Sequence, residues 1–255
     1  MANILNQGTI TESYQLPSLG KLYGPDFPDT VTIRSMTTFE EKMRLGNQGF
    51  WKTITSILNA VVTSPEEFKS ENLTLFDFYF MMYKMRTVSY GNIYKVRVTC
   101  PDCGKVIICN VDLDKLAVTY LPEDFKEPIE IGPLPRSNDT LQCKFLRAGD
   151  SIRIEKRSQE ILKKYPDYQG DPSYILNIAA QIVGINGDKL SPREIEMYVE
   201  KMTALDSAYF QQAIAAKTGN IGMSTECTDF CPECGAEIEF DLPFNSEFFR
   251  PTFDF

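Results

Sequence analysis

Apolar residues set the plan of this chain. Between Phe50 and Val62 the residues Trp51, Ile54, Ile57, Leu58, Val61 and Val62 fall at helical spacing, which predicts an amphipathic helix. From Thr74 to about Val88 the pattern changes, and Leu75, Phe76, Phe78, Tyr79, Phe80, Met81, Met82 and Met85 leave almost no polar side. A helix apolar nearly all round belongs at the centre of a core. A groove lined by these aromatics and methionines is the sharper alternative. Gly91 is placed to stop this helix. Elsewhere the period is two: Val31–Arg34 and Ile93–Val98 alternate as strands do, and a return strand ends near Val111. Shorter strands are predicted at Ile129–Ile131 and Leu141–Leu146.

Cap signals mark the other helices. Thr37-Thr38-Phe39-Glu40 and Ser191-Pro192-Arg193-Glu194 both read as capping boxes, the second followed by Ile195, Tyr198, Val199 and Met202 on one face. Ser64-Pro65-Glu66-Glu67 predicts a further helical turn with Pro at its first position. Asp150 is expected to open a helix to about Lys164; others follow from about Pro172 to Val183 and from Thr203 to Gly219. Residues 1–30, with Gly8, Pro17, Gly20, Gly24, Pro25 and Pro28, predict an extended arm, either disordered or laid along a neighbour.

The chemistry lies in a repeat. Cys100-Pro101-Asp102-Cys103-Gly104 returns as Cys231-Pro232-Glu233-Cys234-Gly235, and each copy runs into a strand-like stretch. Two turns that each present two sulfurs supply the four thiolates of a tetrahedral structural zinc. Pro sets φ for the turn, and Gly accepts the positive φ that aims backbone N–H groups at sulfur. The chain has no His, so the site is either all-Cys or Cys with a carboxylate, and Cys100, Cys103, Cys231 and Cys234 are the candidate ligands. A thioredoxin-like dithiol is the first rival, but that motif opens a helix rather than a strand. A disulfide framework, the second, suits short secreted chains. Cys227 could replace one ligand, whereas Cys109 and Cys143 read as small buried hydrophobes.

Composition narrows the partners. The chain has 255 residues, 43% of them hydrophobic, enough for one large core or two small ones, and a formal net charge of −9. Such acidity repels phosphate backbones unless a basic patch is segregated. The densest basic cluster, Arg153, Lys156, Arg157, Lys163 and Lys164, reads as the solvated face of a helix. Met1–Asn6 offers neither a basic nor an apolar signal region, so no secretion is expected. Leu73–Met85 carries Asp77 and Lys84 and is too short to span a bilayer. Without imidazole or a phosphate-cradling glycine loop, and with a four-thiolate site that leaves no coordination position open, the reading is of a non-enzyme.

The expected fold class is α+β: a largely helical body clamped by a four-cysteine zinc ribbon made of the two distant knuckles. The expected divisions are the arm 1–30, a mostly helical segment 31–92, the ribbon 93–112 plus 223–243, a mostly helical insertion 113–222, and a tail 244–255. The tail holds Phe244, Phe248, Phe249, Phe253 and Phe255. These rings either pack on the protein itself or dock into a partner.

Several segments resemble the baseplate hub subunit family of T4-type contractile-tailed phages. They are Leu16-Pro17-Ser18-Leu19-Gly20-Lys21-Leu22-Tyr23, Val31 through Glu41, Ser89-Tyr90-Gly91-Asn92-Ile93-Tyr94, both knuckles, and the Phe248-Phe249 ending. The resemblance implies a phage or prophage protein of tail baseplate assembly, either hub component or assembly factor. It implies no enzymatic activity and carries over no catalytic residue; the four knuckle cysteines match by position, and 113–222 contributes little. The implied partners are other baseplate and hub proteins; the arm and the Phe-rich tail are the candidate contact elements, and the acidic composition and short apolar runs predict no nucleic acid and no membrane span. The implied locations are the host cytoplasm during assembly and the virion tail baseplate. Two other readings stay open: a zinc-ribbon regulator binding nucleic acid or polymerase, and a dithiol oxidoreductase.

Overall fold

The structure is a computed structural model, and it describes residues 8–46, 49–219, 221–244 and 248–249. Its centre is the helix α3 (Leu75–Tyr90), capped by the Thr74 side chain and closed at Gly91, where φ is 87°. Phe78, Met81, Met82 and Met85 on it are fully buried. Its aromatics and methionines therefore make core rather than a groove.

Against α3 lie a helix and a small sheet. Helix α1 (Thr38–Arg44) opens with the Thr37/Glu40 capping box, and α2 (Phe50–Val61) buries Ile54, Ile57, Leu58 and Val61. The sheet has the order β1 (Thr11–Gln15), β2 (Thr30–Arg34), β3 (Val62–Ser64), with both pairings antiparallel. Strand β2 alternates as expected, sending Val31 and Ile33 inward.

Two expectations fail in this half. The described part of residues 1–30 is no free arm: β1 pairs with β2, and Leu16 and Ser18 are fully buried. The Ser18 N–H donates to the buried Asp77 carboxylate at 3.0 Å, and the Tyr23 hydroxyl donates to the same group. Burial pushes the Asp77 carboxyl up, against the hydrogen bonds from Ser18 and Tyr23 that favour its charged form. The helical turn expected at Ser64–Glu67 is also absent. Ser64 pairs with Thr32 in the sheet, so Pro65–Phe68 is only a turn.

A second core is built on another sheet, β7 (Ile129–Ile131), β8 (Leu141–Cys143) and β9 (Ile182–Ile185), all antiparallel. On it pack α5 (Pro172–Gln181), α6 (Pro192–Lys201) and α7 (Ala204–Thr218). Where a largely helical body is expected, helix and strand are mixed, with 38% helix and 23% strand over the described residues, the ribbon included. The helix expected to reach Val183 stops at Gln181, because Ile182–Ile185 pairs with β8. Helix α4 (Ala148–Lys164) begins earlier than expected. Asp150 sits in its first turn and folds back to accept from the Arg147 N–H at 2.9 Å.

Short strands β6 (Val118–Thr119) and β10 (Gly222–Met223) pair antiparallel, which brings the two ends of the middle segment together. Gly222 has φ 110°, and a side chain there would meet Phe76 at 3.0 Å.

Of the C-terminal phenylalanines, Phe248 and Phe249 are buried against the protein itself. Phe248 lies edge-on to Tyr83 and Tyr94, at 5.0 and 5.2 Å between ring centres. For these rings, docking into a partner gives way to internal packing; Phe253 and Phe255 lie outside the described residues.

Candidate metal centre

Two hairpins carry the four candidate ligands. In the first, β4 (Ile93–Thr99) pairs with β5 (Val106–Asp112) from Ile93↔Asp112 to Thr99↔Val106, and the knuckle is the turn between them. In the second, β11 (Glu226–Phe230) pairs with β12 (Glu237–Asp241) around the other knuckle. Alternation buries Val96, Ile107, Cys109 and Ile238 inward.

The knuckles are matched in detail. The Cys100 N–H donates to Lys105 O at 2.9 Å and the Gly104 N–H to Cys100 O at 3.0 Å; Cys231, Ala236 and Gly235 repeat the pattern at 2.8 and 2.8 Å. Gly104 and Gly235 have φ of 72° and 76°, which lets each chain turn back into its second strand.

All four sulfurs converge, lying within 4.8 Å of one another. Cys100 Sγ is 3.7 Å from Cys234 Sγ, and Cys103 Sγ is 3.7 Å from Cys231 Sγ. A disulfide would need about 2.05 Å, so these are four free thiols. Zinc–thiolate bonds of about 2.3 Å imply a tetrahedron with edges of about 3.8 Å. The observed spacing fits that figure, and the donor set is the one a structural site uses.

Electrostatics points the same way. Backbone N–H groups face the sulfurs, and that of Glu233 is foremost in bringing the Cys231 thiol down to about 7. The Ala236 N–H favours the Cys234 thiolate as well, but desolvation, joined by the neighbouring sulfurs of Cys231, Cys100 and Cys103, outweighs it and pushes that thiol up to about 12. Four sulfurs this close cannot all ionise without a cation among them. A divalent metal removes that conflict.

Other residues hold the centre in place. Lys105 on one knuckle pairs with Glu233 on the other, a contact not foreseen, since only the folded chain brings them together. Arg86, at the end of α3, is buried and donates to Phe248 O at 3.0 Å and Ile93 O at 3.1 Å. It therefore ties α3, the root of the first hairpin and the C-terminal segment. No sequence pattern marks Arg86, apart from the oddity of a cation within an apolar helix. Cys227 does not join the cluster; its Sγ lies 3.6 Å from Thr225 O. Cys109 and Cys143 are buried, and burial raises their thiols to about 11 and about 12.

A profile of the family described as T4 bacteriophage base plate protein matches residues 9–250. The chain belongs to that family. The match includes the middle segment, to which the resemblance of short motifs had contributed little, and it places the chain with the proteins of the phage tail baseplate. No curated protein and no solved structure matches the chain. Among the described residues, no helix of this baseplate protein is long and apolar enough to cross a membrane.

Proposed function

We propose that this chain is a non-enzymatic building or assembly component of the contractile-tail baseplate, a hub component or an assembly factor, with one structural zinc. The observation that carries the reading is the family match over 9–250, to which the sulfur tetrahedron adds a structural centre. Cys100, Cys103, Cys231 and Cys234 would hold the zinc in a four-cysteine ribbon, leaving no open position for catalysis. In this reading 113–222 is an insertion whose ends are gathered by the β6–β10 pairing beside the ribbon. Of the divisions around it, the ribbon 93–112 plus 223–243 belongs to this reading, whereas 11–23 and Phe248–Phe249 join the core around α3. Residence in the host cytoplasm during assembly belongs to the same reading.

Mass spectrometry of purified virions against infected-cell lysate tests the assignment. A hub component is retained in the particle and an assembly factor is present only in the lysate; absence of any association with tail intermediates refutes both. Native mass spectrometry tests the metal separately, with one zinc per chain expected.

A further inference from the structure

Helix α4 has 17 residues, yet its buried side chains, Ala148, Asp150, Ser151 and Ile154, all lie in its first half. A helix end with so little packing is marginal in water by itself. Beside it is a cleft of about 540 Å³. Helix α5 packs against both α4 and α6 and forms the bottom between them. The floor is apolar, with Ile154, Leu176, Ala179, Ile182 and Ile195. An adjoining depression of about 450 Å³ shares Arg157, Pro192 and Glu196 with it and continues along α6 past Met197. Met197 is 47% exposed. Together the two spaces follow α6 from Pro192 to Glu200, the direction a docked helix would take.

The rim decides the charge of the occupant. Four cations, Lys144, Arg153, Lys156 and Arg157, line the cleft against the three carboxylates Asp150, Glu160 and Glu196. This is a local excess of positive charge in a chain with 35 acidic and 26 basic residues. Lys144 and Arg153 share the buried Asp150, Arg157 stands 4.0 Å from Glu196, and Lys156 has no ion-pair partner among the described residues. Lys163 and Lys164, in the last turn, answer the helix dipole. That explanation does not reach Arg153, Lys156 and Arg157, which border an apolar floor. A phosphate backbone would gain nothing from that floor and would meet the carboxylates.

We propose that the cleft between α4 and α6 docks an acidic amphipathic helix of a partner protein, with apolar side chains on the α5 floor and carboxylates toward Arg153, Lys156 and Arg157. This is the helix-in-groove mode, read through anchors at i, i+3, i+4 and i+7. It does not depend on the metal.

The test uses the full chain and a fluorescein-labelled synthetic helix of about four turns, with Leu at those anchor positions and Glu on both flanks. Its counterpart has Lys in place of every Glu. By fluorescence anisotropy the Glu peptide is expected to bind at least about tenfold more tightly than the Lys peptide, and more weakly as salt rises. The K156E/R157E variant should reverse that preference, and Ala180→Trp should block both peptides by filling the cleft. Circular dichroism melts matching the parent would show that both variants remain folded; if K156E/R157E fails this check it is replaced by Lys156→Glu, which breaks no ion pair among the described residues, and if Ala180→Trp fails it is replaced by Ala180→Leu. Equal binding of the two peptides, no binding of the Glu peptide, or undiminished binding to the filled variant would overturn the proposal. So would a DNA duplex that displaces the peptide, or self-association of the chain that K156E/R157E abolishes.

Discussion

The two hairpins at the sulfur cluster and the core around α3 solve the same problem with different means. The knuckle ends of the hairpins share a cluster of five buried residues, Cys100, Ile107, Cys109, Cys231 and Ile238, of which three are cysteines, while Tyr94 and Val96 at the root of the first belong to the core around α3. Around α3, by contrast, Phe78, Met81, Met82, Met85, Leu58 and Ile33 are all sealed from solvent, together with the sheet and the Phe248 ring. Apolar burial alone can hold the second region. A two-stranded hairpin is marginal in water, and two of them touching through so few side chains need a cross-link. In such a place a metal matters most.

The sharpest way to break the comparison is to remove the proposed metal. A strong chelator under reducing conditions, or Cys231→Ser, is expected to raise hydrogen exchange in 93–112 and 226–241 by about a hundredfold or more while the α3 amides stay protected. Equal loss of protection in both regions would show that they fold as one unit. The reciprocal change is Phe78→Ala, which empties a fully buried site and should cost about 3–5 kcal/mol in denaturant unfolding. The proposed zinc site should be untouched, so metal content per folded chain should not differ from that of the parent.

Asp77→Ala should come next, at about 1–3 kcal/mol, because the Ser18 N–H and Tyr23 hydroxyl lose their buried acceptor. Its distinctive mark is selective proteolysis before Thr30, since the segment holding Leu16 to Tyr23 loses its tie to α3.

The smallest effect is one of pH. Burial would raise the Glu40 carboxyl, yet hydrogen bonds from Arg34 and Thr37 prevail and bring it to about 2 from an ordinary 4.5. A folded value below the unfolded one gives stability that is fully present above about 4.5 and lost as pH falls toward 2. The gap in melting temperature between the parent and Glu40→Gln should therefore narrow over that window. A gap independent of pH would remove the Arg34–Glu40 pair from the account.

Much of the local structure was legible. The Thr37 and Ser191 caps, the period of α2, the apolar girth of α3 and the stops at Gly91 and Gly219 are each written within a few residues, and each forms as read. What failed depended on a partner strand. Residues 11–15 look like an arm until β2 is beside them, Ser64 looks like a cap until Thr32 pairs with it, and Ile182–Ile185 looks like a helix end until β8 claims it. Edge pairing is a contact between distant segments, and neither propensity nor periodicity carries it.

The sequence by itself determined the donor chemistry: two Cys-Pro-x-Cys-Gly turns, each able to present two sulfurs from one tight loop. Tertiary structure decided that the two turns face each other at 3.7 Å, that Lys105 meets Glu233 across them, and that Arg86 ties the root of the first hairpin to Phe248. The reason is physical: a turn's shape is set by the φ preferences of adjacent residues, whereas the meeting of two turns depends on how every element between them packs.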